Sequence, residues 1–194
     1  MGARLLPPML QPLSSPTFRV IWFGSLLSNF GQLIQGVGAA WEMTRLSPAA
    51  NMVALVQTAV FLPMMLLLLP AGAVADMYDR RKVAICGLAI ACASALTLTA
   101  FSLSELLTPW LLLLFCFLIG SGVALFGPVW QASVSEQVET EHLPAAIGLS
   151  SISYNLARSF GPAIGGLVVA AFGSVATFGI NALAYLPLMA AFFF

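Results

Sequence analysis

Residues 72–82 of the chain read Gly-Ala-Val-Ala-Asp-Met-Tyr-Asp-Arg-Arg-Lys, a short polar segment between two long apolar runs. Five charged residues fall within the seven positions 76–82, although only 7% of all residues are charged. This concentration of charge indicates that the polypeptide emerges from an apolar solvent here and returns to it directly afterwards. The apolar runs on either side are therefore candidates for membrane-spanning helices.

The composition favours a membrane environment for the rest of the chain. Of 194 residues, 60% are hydrophobic, and a soluble domain of this size could not hide so much apolar surface. The formal net charge is zero, so no basic surface is available for nucleic acid. We therefore predict an all-α membrane protein with the lipid bilayer as its solvent and no nucleic acid as a partner.

Six segments are long and apolar enough to cross a bilayer, which takes about 20 residues. The predicted spans are 18–44, 52–75, 83–103, 109–134, 144–172 and 175–194, after an N-terminal segment 1–17. Ser15 is the expected N-cap of the first span, with Pro16 at its first helical position. The last span is still running at Phe194, so we expect a six-transmembrane-helix bundle that is the first part of a longer protein, truncated at its C-terminus.

The distribution of basic residues predicts the orientation of this bundle. Most of the lysines and arginines fall on one side of the predicted spans, namely Arg4, Arg19, Arg80, Arg81 and Lys82. Arg45 is alone on the other side. The positive-inside rule then places the N-terminus and the 76–82 loop on the cytoplasmic side. We therefore predict a multi-pass protein of the cell (inner) membrane with its N-terminus in the cytoplasm.

The cysteines give no indication of a disulfide or a metal site. Cys86, Cys92 and Cys116 all lie inside apolar runs, without the spacing of metal ligands. We interpret all three as small buried hydrophobic residues, and we expect no metal and no cofactor.

The charges at positions 76–82 lie at helix ends where the helix dipole disfavours them. Asp76 ends one predicted helix, and Arg80 and Arg81 begin the next. Charges in such places usually interact with groups outside their own helix. Glu136 lies at the most similar depth in the membrane and is the nearest candidate partner. The alternative is an ordinary cytoplasmic loop whose arginines meet lipid phosphates.

The same loop resembles a known signature. The pattern Gly72-x-x-x-Asp76-x-x-x-Arg80-Arg81 after a second span is similar to the signature loop of the major facilitator superfamily of secondary transporters. It departs from the general pattern at Met77, where arginine is usual, and at Asp79, where glycine is usual. The resemblance implies a gating charge network formed by Gly72, Asp76, Arg80, Arg81 and Glu136.

Two further segments, 125–131 and 151–162, resemble the branch called transmembrane secretion effectors, which includes exporters of siderophores such as enterobactin. The resemblance implies the amino-terminal half of a twelve-helix fold, with three-plus-three inverted repeats. It also implies a secondary active exporter of a small organic solute, drug-like or siderophore-like, that works by alternating access. A missing C-terminal six-helix half and a small-molecule substrate are then the expected partners, and proton coupling stays open.

Arg158 is the residue most costly to place in a membrane. At about 1.5 Å per residue it lies ~21 Å along the helix from Pro144, where arginine costs about 2.5 kcal/mol even on the lowest insertion scales. We expect it to face the bundle interior or a wet cavity, with Tyr154 and Asn155 on the same helical face. A role in substrate binding or coupling and a role as a structural clamp are both open.

Span one carries three amides spaced by three residues, Asn29, Gln32 and Gln35. They can line a cavity or hold helices together by hydrogen bonds, and the sequence does not choose between these roles. Gln131 is a weaker candidate for the cavity.

Glycine and proline interrupt span five at Gly161, Pro162, Gly165 and Gly166. This helix-bend motif resembles the fifth-span signature of exporters, although a packing kink is an equal alternative. Near the outer end of span one, Glu42 and Arg45 are expected to form a wet interfacial pair without function.

Two other functions compete with export. A rhomboid-type membrane protease needs Gly-x-Ser-Gly and a histidine in the membrane, but Ser121 lacks that context and the sole histidine, His142, lies in a loop. We therefore predict that the chain is not an enzyme. A non-transporting truncated fragment, or a half-transporter subunit that needs a partner half, is the remaining alternative.

Overall fold

The structure is a computed structural model that describes residues 7–193, and every regular element in this range is helical. Five α-helices follow one another along the chain: α1 (Pro16–Leu46), α2 (Ala50–Met77), α3 (Arg80–Leu103), α4 (Pro109–Gln137) and α5 (Leu143–Phe193). Two 3₁₀ helices, Pro8–Ser14 and Thr140–His142, precede α1 and α5. The prediction of an all-α fold is confirmed.

Side-chain caps set where three of these helices begin. Ser15 caps α1 as predicted, since its hydroxyl accepts from the Phe18 amide at 3.5 Å and Pro16 takes the first helical position. Thr108 caps α4 in the same way. Asp79 caps α3, with its carboxylate accepting from the Arg81 amide at 2.9 Å. The unfavourable electrostatics predicted for the start of α3 are therefore partly offset, because the Asp79 carboxylate at the helix N-terminus compensates for the cations that follow it.

Helix α5 contains a break at Gly173, whose φ of 78° and ψ of 173° are not helical. Residues that carry a side chain rarely adopt a positive φ, so glycine suits this position. We call the residues before the break α5a (143–172) and those after it α5b (174–193). The break coincides with the predicted boundary between spans five and six.

Four helical stretches within residues 7–193 are long and apolar enough to cross a membrane. They are Ala50–Leu67, Arg80–Leu103, Pro109–Gln137 and Thr140–Phe192. By this criterion the structure shows four spans where the sequence predicts six. The difference arises because α1 is too polar to qualify, and because α5a and α5b follow each other without a loop.

The helices pair in a pattern that is symmetric under exchange of the two halves of the chain. α1 packs against α5a and α5b, while α4 packs against α2 and α3. α3 also packs against α5b, which closes the bundle on that side. Exchanging α1, α2 and α3 for α4, α5a and α5b reproduces this set of pairs, as an internal repeat would.

Glycines allow these pairs to approach closely. Along α1, glycine recurs every seven residues at Gly24, Gly31 and Gly38, and all three face α5b. A Cβ at Gly31 would lie 2.7 Å from Ala184 Cβ, and one at Gly38 would lie 1.8 Å from Thr177 Oγ1. The backbone of α5b therefore lies directly against this side of α1.

The cysteine prediction is confirmed for two residues and wrong for the third. Cys92 and Cys116 are buried in the core, but Cys86 is exposed. An apolar sequence context indicates a membrane span, but it does not distinguish the packed side of a helix from the side that faces lipid.

Candidate functional site

The helices enclose a cavity of about 790 Å³ that is walled mainly by α1, α2 and α4. α5a contributes to one margin, and α2 and α5 do not pack against each other in the described part of the chain. The cavity is therefore open between these two helices. Its volume lies in the range of pockets that hold drug-sized molecules.

The α1 wall of the cavity is polar. Asn29, Gln32 and Gln35 all line it, as does Ser28. Asn29 also donates from Nδ2 to the Ser153 hydroxyl at 3.2 Å, which joins α1 to α5a. Gln35 also accepts a hydrogen bond from Asn181 of α5b, so Asn29 and Gln35 both line the cavity and bond between helices, which are the two roles that the sequence left open.

The opposite wall, from α2 and α4, is mainly apolar and partly aromatic, although the amide of Gln57 on α2 also lines it. Phe61 and Met64 come from α2, and Phe126 and Trp130 from α4. The rings of Phe126 and Trp130 are stacked, with centroids 6.3 Å apart and planes at 24°. No Asp, Glu, Lys, Arg or His lines the cavity within residues 7–193. A solute here would meet amides and hydroxyls on one side and aromatic surface on the other.

Arg158 lies at the margin of this cavity and outside its lining. Ser150, Tyr154 and Pro162 of α5a line the cavity, and Arg158 falls in the same i, i+4 row between the last two. Its side chain is exposed and makes no hydrogen bond or ion pair with any residue in 7–193. The expected interior position is therefore not observed within this chain.

The narrow contact of α5a with the rest of the bundle explains this exposure. α5a touches α1 through a stripe of small residues, including Ser153, Ala157, Gly161 and Gly165. Leu149 extends this contact toward Trp22, and most of the remaining circumference of α5a is exposed.

Two other predicted cavity residues also lie outside the lining. Asn155 is exposed and donates to its own helix, to the Ser151 carbonyl at 2.8 Å. Gln131 is exposed on α4. Tyr154 does line the cavity.

The glycines of the helix-bend motif have different surroundings. A Cβ at Gly161 would lie 2.8 Å from Leu33 Cβ, and one at Gly165 would lie 3.1 Å from Val37 Cβ, so both serve the contact with α1. Gly166 faces open space. The non-helical residue in α5 is Gly173, so the bend at Pro162 stays a prediction.

Residues 76–82 and the end of α4 at Glu136 form what we call the charged end of the bundle. It contains one ion pair from the predicted network. Arg80 Nη1 lies 2.5 Å from Glu136 Oε1, linking the start of α3 to the end of α4. Arg81 donates from Nε to the Phe192 carbonyl. Asp76 is exposed and has no such bond to another residue in 7–193, and a Cβ at Gly72 would meet nothing within 4 Å.

The prediction that Glu42 lies at a wet surface is wrong, because the residue is buried. It is 6% exposed, and its Oε2 accepts from the Ser174 hydroxyl and from Arg45 Nη1, the latter at 3.2 Å. Ser174 follows the break at Gly173 directly, so the start of α5b covers the carboxylate. Only Arg45 is exposed as expected. The sequence contains no signal for a contact between residues 132 positions apart.

Removing the Glu42 carboxylate should destabilise the fold. Glu42→Ala leaves the buried Ser174 hydroxyl without its acceptor, and we expect a loss of about 1–3 kcal/mol. Thermal unfolding in detergent measures this, with the exposed Glu105→Ala as the matched control. Equal unfolding temperatures for the two variants would contradict the contribution of this contact.

Two polar residues of α5b also belong to the site and were not predicted. Asn181 is fully buried and donates from Nδ2 to Gln35 Oε1, and Tyr185 lines the cavity. Both lie in an apolar run, where a single Asn or Tyr carries no distinctive pattern.

These features define a multi-pass membrane protein built around a solute-sized cavity. The chain belongs to the transmembrane secretion effector family of the major facilitator superfamily, whose model matches residues 8–194. The resemblance seen in the sequence is thereby confirmed.

Characterised relatives are transporters and efflux proteins. The chain is 27% identical to the staphyloferrin A transporter of Staphylococcus aureus, over 83% of this chain and 41% of the relative. It is 27% identical to the multidrug efflux pump Tap of Mycobacterium tuberculosis, over 88% and 42%. It is 26% identical to macrolide efflux protein A of Streptococcus pyogenes, over 86% and 41%. The chain therefore spans about two fifths of the length of these relatives.

Proposed function

We propose that the chain forms the amino-terminal half of a secondary active exporter that moves a small organic solute by alternating access. The observation that carries this proposal is the cavity of about 790 Å³, polar on α1 and aromatic on α4, which is open between α2 and α5a. Membership of the transmembrane secretion effector family, together with relatives that are efflux proteins, supports it. A solute site between two halves is the expected arrangement for such transporters.

Six spans are proposed within this half, which would lie in the inner membrane with its N-terminus on the cytoplasmic side. α1 is 31 residues long, and its polar residues face the cavity and α5, so it can cross a membrane despite its composition. α5a and α5b each have the roughly 20 residues that a span requires. The cluster of basic residues at 80–82 supports the proposed orientation.

The charged end is proposed as a latch for one conformational state. The Arg80–Glu136 pair joins α3 to α4, and Asp76 and Gly72 lie nearby in sequence with free surface around them. Side-chain exposures of 40% and 65% limit such a pair to about 1 kcal/mol or less. It can therefore bias a two-state equilibrium severalfold without locking it.

A half-transporter that needs a separate partner is the second candidate. The broad exposed surfaces of α2 and α5a, together with the gap between them, favour a second six-helix bundle on that side. Arg158, which has no partner among residues 7–193, would face this bundle or the solute.

Drug accumulation in cells tests the exporter proposal. Cells that lack their own efflux pumps and express the full-length gene product should accumulate less of an uncharged drug such as chloramphenicol than cells with empty vector. The 194-residue chain alone should bind solute without lowering accumulation, and co-expression with the remaining half should restore efflux. Equal accumulation in all these cells, for every solute tried, would contradict the proposal.

A further inference from the structure

The wall of the cavity that α5b forms contains polar atoms without partners. Tyr185 and Asn181 are both 0% exposed, and Tyr185 lines the cavity beside Leu188. The hydroxyl oxygen of Tyr185 and Oδ1 of Asn181 have no hydrogen-bond partner within residues 7–193. Buried polar groups are normally bonded, so two such atoms at one site require an explanation.

Close packing explains how α5b reaches a cavity that lies on the far side of α1. At Gly31 a Cβ would lie 2.9 Å from Asn181 Oδ1, so only a glycine lets Asn181 approach α1 this closely. The same approach brings the Tyr185 hydroxyl near the side chains of Gln32 and Asn181, although neither meets hydrogen-bond geometry. Gln32 is itself part of the cavity wall.

A tyrosine is a costly choice for this position if nothing binds there. Phenylalanine would fill the same volume without burying an unsatisfied hydroxyl. The cost disappears when the hydroxyl, which is fully buried as the helices pack here, moves toward the cavity and water or a solute group completes its hydrogen bond. Since no Asp, Glu, Lys, Arg or His lines the cavity within the described residues, a charged group would find no counter-ion there.

We propose that Tyr185, together with Gln32, forms a hydrogen-bonding subsite for an uncharged carbonyl, amide or hydroxyl group of an otherwise apolar solute. The apolar body of the solute would lie against Phe126 and Trp130 on the facing wall. This assignment rests on the proposed function of the cavity and narrows its solute to a neutral amphipathic class. It also gives α5b a part in recognition besides its structural contact with α1.

Matched steroids test the subsite on the 194-residue chain in lipid nanodiscs, with empty nanodiscs as the blank for lipid partition. Tritiated progesterone supplies neutral carbonyl groups, its hydrocarbon skeleton pregnane supplies none, and pregnenolone sulfate adds an anion. Tyr185→Phe should weaken progesterone binding about three- to tenfold, the value of one neutral hydrogen bond, and leave pregnane binding unchanged. Gln32→Leu should act in the same direction, whereas Tyr78→Phe, an exposed tyrosine at the charged end, should change nothing.

Thermal stability distinguishes this role from a structural one. Tyr185→Phe should keep or raise the unfolding temperature, because it removes an unsatisfied buried hydroxyl. A lower unfolding temperature, equal weakening of progesterone and pregnane, or unchanged progesterone affinity would overturn the subsite, the last result assigning the hydroxyl to water. Absence of saturable progesterone binding, or tighter binding of pregnenolone sulfate, would overturn the neutral solute class.

The steroid experiment measures binding without transport, so the two proposals can fail separately. Efflux by the full-length protein without a Tyr185 effect would refute the subsite alone. Intact, Tyr185-dependent binding without efflux would refute the exporter alone.

Discussion

Replacing Gly122 by alanine should destabilise the bundle by forcing two of its central helices apart. A Cβ at this position would lie 2.4 Å from the Gly87 carbonyl oxygen and 2.7 Å from the Ala91 amide nitrogen. Both are backbone atoms, so no side-chain rotation relieves the overlap and α3 must move away from α4. Overpacking of a core costs about 1–3 kcal/mol, and we expect the upper end of this range or more.

The matched control lies on the same helix. Gly127 also belongs to α4, but a Cβ there would meet nothing within 4 Å. Helix propensity is expected to favour alanine over glycine by roughly 1 kcal/mol at both positions, so it cancels in the comparison. Gly127→Ala should therefore match the wild type or unfold at a slightly higher temperature.

A thiol-reactive fluorogenic maleimide measures this difference. Cys92 on α3 and Cys116 on α4 are buried in the core and become reactive when the two helices separate. The exposed Cys86 is replaced by serine in every variant to remove the background signal. Similar unfolding temperatures for Gly122→Ala and Gly127→Ala would show that α3 and α4 do not approach each other as closely as described here.

Helix positions were predictable from the sequence because apolar runs and capping residues mark them locally. The predicted spans 83–103 and 109–134 lie within α3 and α4, and the Ser15–Pro16 start of α1 is as predicted. The break at Gly173 was also found, since Gly-Ser interrupts the apolar run. The absence of a loop there was not predictable, because it depends on the backbone angles of one residue.

Contacts between distant parts of the chain were beyond a single sequence. Gln35 and Asn181 are 146 positions apart, and the cover of Glu42 by Ser174 is equally remote. Depth in the membrane can be counted along a helix, but the direction of a side chain depends on which helices are neighbours. Arg158 illustrates this limit: its depth predicts an interior position, but the side of α5a that packs against α1 is the one that carries Leu149, Ser153 and Gly161, and Arg158 lies outside it.

Under the proposed export function, Arg158→Ala should reduce efflux by the full-length protein to the level of empty vector while leaving membrane insertion intact. A guanidinium in the middle of α5a is too costly to be left facing hydrocarbon, and residues 7–193 offer it no partner. It lies in the same row as Tyr154 and Pro162, beside the open side of the cavity. We therefore expect it to meet the solute or a carboxylate of the proposed second half, where the charge has a function.

The lysine variant and a remote arginine sharpen this prediction. Arg158→Lys keeps the charge but loses the planar fork of donors, so efflux should be intermediate if the partner is a carboxylate bound through two hydrogen bonds. Arg19→Ala removes another exposed arginine, near the start of α1, and should leave efflux unchanged. Efflux and membrane abundance are measured in the same cells. Wild-type efflux by Arg158→Ala at normal abundance would refute the role, and it would leave lipid phosphates or water as the partner of this side chain.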